Sequence, residues 1–532
     1  MSGRWTDGDD VLNLWFDADL MLTLTLLAAG FLVSSSIAVW LYGRFAKRAR
    51  GAPSRALPIR GVATGVDDVV APLTGARPVA TGIQLLDANM DAYAARAGSA
   101  RAAGRGIDVQ YYLWRSDLTG DLLALELLRA ADRGVRVRFL IDDINTRGRD
   151  PHYLALNAHP RIEVRVFNPA KNRTNPLRRG IEMMLRAVKV TRRMHNKAWI
   201  VDGRIAVIGG RNIGDTYFDA ARDFNSVDMD ALVVGAAVPQ AEAVFDAYWN
   251  SPQVLPIRAL WSRGRKGNLR GLRADLARLA GSEDAVRYLG RGDPARSLGG
   301  LVGQGPELHW TDAARIVSDP PEKTEKRDQD AWLIRSLVPM LLAAKSEVRI
   351  TTAYLVPDER TVEAMIGLAR SGVRVSILTN SLASTNQVLV HGAYARARHP
   401  LLSGGVELFE LKPTDPGGAV LAGLSSDRSS LHGKCFSIDG ERGFIGSFNF
   451  DLRSAYLNTE MGLVFDQPDI AAEMRRIFER DTSAAHSWHL SLADGALVWA
   501  DEGRSVGREP DAGALRTGLA RVAGRLPIRS QL

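Results

Sequence analysis

Cysteine is almost missing from this chain of 532 residues; Cys435 is the single copy. That excludes an intrachain disulfide and any metal site built from several thiolates. Cys435 follows a lysine in an apolar stretch and reads as a small core residue rather than a reactive thiol. Lysine is scarce too, since arginine carries most of the positive charge. Charge is absent altogether from residues 21–42 (MLTLTLLAAGFLVSSSIAVWLY), a run long enough to cross a bilayer as a helix. The remaining composition is globular, with 46% hydrophobic and 24% charged residues. The length exceeds that of one ordinary domain, so two are expected. A net charge of +8 suits anionic partners, either phospholipid head groups or nucleic acid.

The uncharged run has unequal flanks. Asp7, Asp9, Asp10, Asp17 and Asp19 lie before or at its start, and Arg44, Lys47, Arg48 and Arg50 follow it. Trp15 and Phe16 on one side, with Trp40 and Tyr42 on the other, resemble interfacial anchors. A cleaved signal peptide would begin basic, so an uncleaved anchor is expected. The excess of positive charge on the inner side then places the bulk of the chain in the cytosol.

One pattern occurs twice in an identical frame. The first copy reads His195, Lys197, Asp202, Gly209, Gly210, Asn212; the second reads His432, Lys434, Asp439, Gly446, Ser447, Asn449. Around each copy lies a similar succession of elements. In the first half, strands are expected over 108–114, 135–142 and 162–168, with a helix near 121–132. In the second, strands are expected over 348–356, 373–379 and 406–411, with a helix over 359–370. A Gly-Val-Arg-Val turn enters one strand of each half, at Gly134 and Gly372. The two turns and the two motifs share nearly the same offset, which marks an internal repeat.

Alternating helices and strands imply an α/β chain whose halves each contain a mixed, largely parallel sheet. Each motif spans two apolar strands joined by Asp-Gly, a hairpin signal. Histidine and lysine two apart on a strand would share one face. The expected division is 1–50 for the anchor segment, 51–80 for a linker rich in Gly, Ala and Pro, and 81–251 for the first domain. Residues 252–320 connect, with a helix near 269–279; 321–490 form the second domain and 491–532 a C-terminal extension.

The motif residues fit chemistry at a phosphodiester without a metal. A neutral imidazole can attack phosphorus and form a phosphohistidine, while a second protonates the leaving oxygen. Lys197 and Lys434 would hold the non-bridging oxygens, helped by Asn212, Ser447 and Asn449. Each half supplies one histidine, so the halves must face each other across one site. An attacking imidazole needs its other nitrogen held by an acceptor. Glu460 and Asp228 are the candidates, each with a structural ion pair as its alternative role, and Asp230 rivals Asp228. Asp202 and Asp439 sit at the hairpin turns, where organising the turn is the first reading and chemical participation the second. His391, ahead of an Arg-rich helix, is read first as a packing residue. No set of carboxylates and histidines has metal-ligand spacing, and no cofactor is expected. Two basic, partly apolar stretches, 171–193 and 513–532, fit either lipid contact or a solvated charged helix.

The duplicated HxKxxxxD pattern resembles the phospholipase D superfamily, and the stretches around it resemble bacterial cardiolipin synthases of the C-type subgroup. The resemblance runs from about residue 80 to the C-terminus. It implies two similar α/β/α domains packed face to face, with the active site at their interface. It also implies phosphatidyl transfer through a phosphohistidine, with His195 as nucleophile and His432 as acid and base. Lys197, Lys434, Asn212 and Asn449 match the family's phosphate-binding positions; Gly210 stands where many members have Ser. Phosphatidylglycerol is the implied acceptor and phosphatidylethanolamine a candidate donor. The N-terminal anchor is not a fixed feature of the subgroup, so the expected location, the bacterial inner membrane with the catalytic part in the cytosol, rests on the anchor and its flanking charges rather than on the resemblance. Hydrolysis of phospholipids to phosphatidic acid, a metal-independent nuclease and a non-catalytic membrane protein are the rivals. The anchor disfavours nucleic acid as the partner, and the intact motifs disfavour the non-catalytic role.

Overall fold

A computed structural model describes residues 18–146, 148–261, 267–291, 298–302, 308–326, 328–413 and 429–526. The acidic residues Asp7, Asp9, Asp10 and Asp17, and Trp15 and Phe16, lie outside these, as do residues 527–532. The N-terminal run forms the helix Ala18–Ala49, longer than expected because it continues through the basic residues that follow the apolar part. Its segment Met21–Ala49 is long and apolar enough to cross a membrane.

Among the described residues, nine strands build one sheet and ten build another. The first runs in the order His309–Thr311, Thr81–Leu86, Asp230–Gly235, Ile205–Gly209, Ala198–Val201, Gly106–Tyr111, Arg136–Asp142, Ile162–Phe167, Val254–Pro256. The second repeats this order without a counterpart of His309–Thr311: Arg315–Ser318, Met461–Asp466, Arg442–Gly446, Lys434–Ile438, Glu347–Thr352, Arg374–Asn380 and Glu407–Leu411. In each sheet only three neighbouring strands are parallel, for example Gly106–Tyr111, Arg136–Asp142 and Ile162–Phe167. The motif hairpins and their partners pair antiparallel, so the sheets are mixed rather than largely parallel. The cause is local: an Asp-Gly turn returns the chain directly, with no crossover helix.

Matching local signals build both halves. Asp117 caps the helix Leu118–Asp132, and Asp358 caps Glu359–Arg370. Gly134 and Gly372 then adopt φ +99 and φ +95, the left-handed conformation that closes a helix and that glycine takes without a Cβ clash. Inner and outer faces alternate along the strands. In Ala198–Val201, Trp199 and Val201 join the outer core of the first domain, packed against the helices Asn89–Ala102 and Leu118–Asp132. Ala198 and Ile200 point instead into a core that both repeats share. Ile445, Met461 and Leu463 enter that core from the second sheet, and Cys435 is buried there. The helices Val238–Trp249 and Pro468–Thr482 contribute Phe245, Trp249, Ile470 and Met474 to it. The result is two α/β/α halves meeting face to face over one apolar layer, which fixes their relative position.

The stretch 51–80, read as a linker, carries the helix Gly65–Gly75, started by a capping box between Thr64 and Asp67. Val66 and Val70 are fully buried, and Asp67 pairs with Arg105 and Arg204. Gly65 at its start and Pro72 inside it mask the helical pattern. The region 252–320 gives both edge strands of the first sheet, Val254–Pro256 and His309–Thr311, and one edge strand of the second, Arg315–Ser318; the strand Ser487–Ala493 extends the second sheet across the expected boundary at 490.

Candidate active site

The two motifs meet where the repeats meet. Thr459 N–H donates to the Arg193 carbonyl and His195 N–H to the Thr459 carbonyl, so the chain before His195 runs alongside the chain before Glu460. On the other side, Ser429–Leu431 pairs in parallel with Asn225–Val227, and His432 N–H donates to the Val227 carbonyl. His195 and His432 thus lie just before their strands, which begin at Ala198 and Lys434, rather than on a strand face.

The backbone pairing has a direct chemical result. His195 Nδ1 is 2.8 Å from Glu460 Oε2, and His432 Nδ1 is 2.6 Å from Asp228 Oδ2. Each histidine is therefore held by a carboxylate of the opposite repeat. All four groups are buried. Both Nε2 atoms are left for chemistry, in the tautomer a nucleophile or base requires.

Glu460 is itself held. Ser447 Oγ donates to its Oε2 at 2.5 Å and Ser454 Oγ to its Oε1 at 2.8 Å, while its backbone N–H donates to Asp319 Oδ2. Ser447 is thus engaged with the carboxylate, which differs from the expected role on phosphate. In the first repeat the equivalent position is Gly210, where a Cβ would lie 2.3 Å from Asp228 Oδ1. The repeats solve one geometric problem with opposite sizes: Ser beside Glu's partner strand, Gly beside Asp. Asp230, the rival of Asp228, pairs instead with Arg96 at 2.8 Å and with Arg211. It braces the domain and does not reach a histidine.

Lys197 Nζ and Lys434 Nζ each donate to the carbonyl of the histidine two residues earlier. Burial, with Lys197 and Lys434, holds His195 well below the usual imidazole value. Burial and Lys434 push His432 down to about 4, against the opposing pull of Asp228. Both lysines act on both imidazoles, so the four groups form one electrostatic unit. Burial also lowers Lys197 to about 7, opposed by Glu460. Burial alone would raise Asp228, but His432 and Lys434 hold it below the usual carboxylate range. Glu460 is pushed up by burial, with Lys197 opposing. On the acid side of neutrality the site holds neutral imidazoles beside two ammonium groups, an arrangement that attracts a phosphodiester anion.

Asn212 and Asn449 both place a buried side-chain oxygen with no hydrogen-bond partner among the described residues, and Asn212 Nδ2 donates to Tyr217 Oη at 3.1 Å. Asp202 and Asp439 lie at the other end of the strands from the histidines. Asp202 accepts from the backbone of Gly104, Arg105 and Gly106, and Asp439 from Lys345, Ser346 and Glu347. Both adopt φ +56 at their turns. They lock hairpin to neighbouring strand and do not join the site. His391 packs between Arg398 and Glu509, away from both motifs. Among the described residues no three metal-binding side chains group together.

Sequence reasoning missed two aromatic walls. Tyr112 packs edge-on against His195 at 5.1 Å between ring centres, and Tyr217 against His432 at 5.0 Å. Both come from the first repeat. The signal available was position: Tyr112 follows the carboxyl end of a parallel strand, where sites in α/β sheets collect.

The family described as "Cardiolipin synthase, PLD-like domain" matches twice, over residues 99–249 and 337–482. Cardiolipin synthase C of Escherichia coli (strain K12) is 38% identical over 86% of this chain and 98% of its own length. A cardiolipin synthase of Staphylococcus aureus is 24% identical over 71% of this chain and 63% of its own length. The crystal structure of phosphatidylserine synthase from Haemophilus influenzae shares the fold, with a TM-score of 0.53 and 13% identity over 85% of this chain and 95% of that one. With its duplicated domain and a relative aligned along nearly its whole length, the chain belongs to the phospholipase D superfamily, in the cardiolipin synthase group.

Proposed function

We propose that this protein makes cardiolipin by moving a phosphatidyl group between phospholipids through a covalent phosphohistidine, without a metal. The observation that carries this reading is the crossed pairing of His195 with Glu460 and His432 with Asp228. It presents two neutral imidazoles, each fixed at Nδ1, to one buried cationic site. His195 Nε2 attacks the donor's phosphorus, and the bond to the leaving alcohol breaks. His432, which takes up a proton as the phosphodiester anion binds, passes that proton to the leaving oxygen. In the second step His432 removes the proton from a hydroxyl of phosphatidylglycerol, whose oxygen attacks phosphorus and releases His195. Lys197 and Lys434 stabilise the charge that builds on the non-bridging oxygens. Phosphatidylglycerol or phosphatidylethanolamine serves as donor. The helix Met21–Ala49 anchors the protein in the bacterial inner membrane, with the catalytic part in the cytosol.

Expression in a bacterial host that lacks cardiolipin tests this. Restored cardiolipin is expected; phosphatidic acid alone would mean that water, not a lipid alcohol, is the acceptor. His195→Ala and His432→Ala should each abolish turnover while the fold persists, and near-normal activity in either would end the shared-site reading. Chelators should leave the rate unchanged. A C-terminal reporter active only in the periplasm would overturn the cytosolic placement.

A further inference from the structure

Two helical stretches from different parts of the chain expose apolar residues at identical spacing. In the helices Pro176–Leu185 and Ala187–Val190, Leu177, Ile181, Met184 and Val188 are exposed, Leu177 by 73% and Val188 by 74%. In the C-terminal helix Ala514–Arg525 and just beyond it, Leu515, Leu519, Val522 and Leu526 are exposed, Leu515 by 79%. Gaps of four and three put Leu177, Ile181 and Met184 on one face of Pro176–Leu185, and Leu515, Leu519 and Val522 on one face of Ala514–Arg525; Val188 in the next short helix and Leu526 just past the helix end continue each exposed apolar run. A solvated charged helix has no reason to keep such a face.

The charge beside these stripes has one sign. Arg173, Arg179 and Arg186 of the first stretch are spent inside the protein on Asp143, Asp150 and Glu182. Lys171, Arg178 and Lys189 remain at the surface. The helix Ala514–Arg525 contains no acidic residue and exposes Arg521 and Arg525.

Each helix is linked by hydrogen bonds to one of the two motifs. The first leads into motif one through Thr191, whose carbonyl accepts from Arg453, a residue whose charge reaches His195. The second is tied by Arg516 Nε to the Leu382 carbonyl, in the loop whose Asn386 accepts from Tyr354 Oη. The Tyr354 carbonyl accepts from Thr352 Oγ1, which in turn accepts from the N–H of Phe450, the residue after Asn449. The opposite face of the C-terminal helix is pinned by small residues, since a Cβ at Gly392 would lie 2.3 Å from the Ala520 carbonyl. Its apolar stripe therefore cannot turn inward.

The occupant follows from the anchor. Ser35 Oγ donates to the Leu185 carbonyl, Tyr42 Oη donates to the Pro169 carbonyl, and the Arg186 guanidinium lies over the Tyr42 ring. The first stripe is thus clamped to the membrane-crossing helix partway along its apolar length. Wherever that helix enters the bilayer, the stripe lies at the level of the lipid.

We propose that the two stripes are one lipid-docking surface, which seats the mouth of the site in the leaflet that the anchor enters, with anionic phospholipid as the occupant. This deepens the phosphatidyltransferase reading and rests on it for its consequence: long-chain substrate would reach the histidines without leaving the membrane.

The buried Cys435 permits a direct test in the full chain. Val188→Cys and Leu519→Cys, each carrying an environment-sensitive fluorophore, are reconstituted into vesicles of phosphatidylglycerol and phosphatidylethanolamine. Glu441→Cys, exposed at the motif-two hairpin on the strand end away from His432, is the control. Labels at 188 and 519 should shift to the blue and be quenched by lipids brominated near the head group, while the label at 441 stays in water. Labels at 188 and 519 that behave like the control, or that become protected only as protein concentration rises, would overturn the proposal; the second result would make the surface a contact between copies. These readouts need no turnover, so they stand even where the catalytic reading fails. The pair Leu515→Asp and Leu519→Asp should then lower turnover of long-chain phosphatidylglycerol in vesicles by about tenfold and spare a short-chain soluble substrate. Equal loss on both substrates would count against docking.

Discussion

The Nδ1 of His195 and the Oε2 of Glu460 stand 2.8 Å apart although one belongs to each repeat. The mirror-image pair, His432 with Asp228, makes the site reciprocal: neither half can orient its own histidine. Replacing either carboxylate by its amide keeps the shape and lets the wrong ring nitrogen carry the proton. Glu460→Gln and Asp228→Asn should each lower kcat by roughly two to four orders of magnitude, by analogy with the serine protease triad, with KM moved much less. Steady-state kinetics on the purified variants checks this; a loss below tenfold would mean that the carboxylates do not set the tautomer.

Asp230 provides the contrast. It is fully buried between Arg96 and Arg211, and Asp230→Ala leaves two buried guanidinium groups without their anion. We expect a loss of about 3–5 kcal/mol of stability, the usual result of breaking a buried pair. Denaturant titration would show it. Asp228→Asn should melt close to the parent protein, so the two neighbouring acids separate into one that braces and one that orients.

Gly210→Ser restores the serine that the second repeat has at this position. The first repeat has no room for it, because Asp228 Oδ1 lies 2.3 Å from the Cβ the change would add. The carboxylate must move off His432, and kcat should fall at least about tenfold, toward the Asp228→Asn value. Full activity in Gly210→Ser would show that Asp228 can hold His432 from another rotamer.

The pH profile should carry the signature of Lys197. Burial brings this ammonium down to about 7, so the free enzyme loses its charge as pH rises through neutrality. The value of kcat/KM, which reports free-enzyme groups, should decline on the alkaline side with an apparent pKa near 7. Lys197→Arg keeps its charge throughout and should move that limb to higher pH, whatever it does to the maximum rate. An alkaline limb that stays in place would assign it to another group.

The sequence by itself determined the repeat, the α/β character and the residues of both motifs. These are properties of spacing: the common offset between the motif copies, the alternation along the strands, the caps Asp117 and Asp358, and the Asp-Gly turns are all local. The helix Glu359–Arg370 was legible for that reason, while Gly65–Gly75 was hidden by its glycine and proline. The sheets' largely antiparallel pairing and the strands lent by the connecting region are choices among partners far along the chain, to which periodicity is blind. Sequence pointed to Asp228, Asp230 and Glu460 as acids near the right strands, but not to which histidine each would meet. Only the packing of the two halves over their shared core decided that, because it brought Thr459 beside His195 and Val227 beside His432 and so crossed the carboxylates between repeats. Tyr112 and Tyr217 became walls of the site by the same step. A side chain's chemistry is fixed by its type, but its role is fixed by the neighbour that folding places against it.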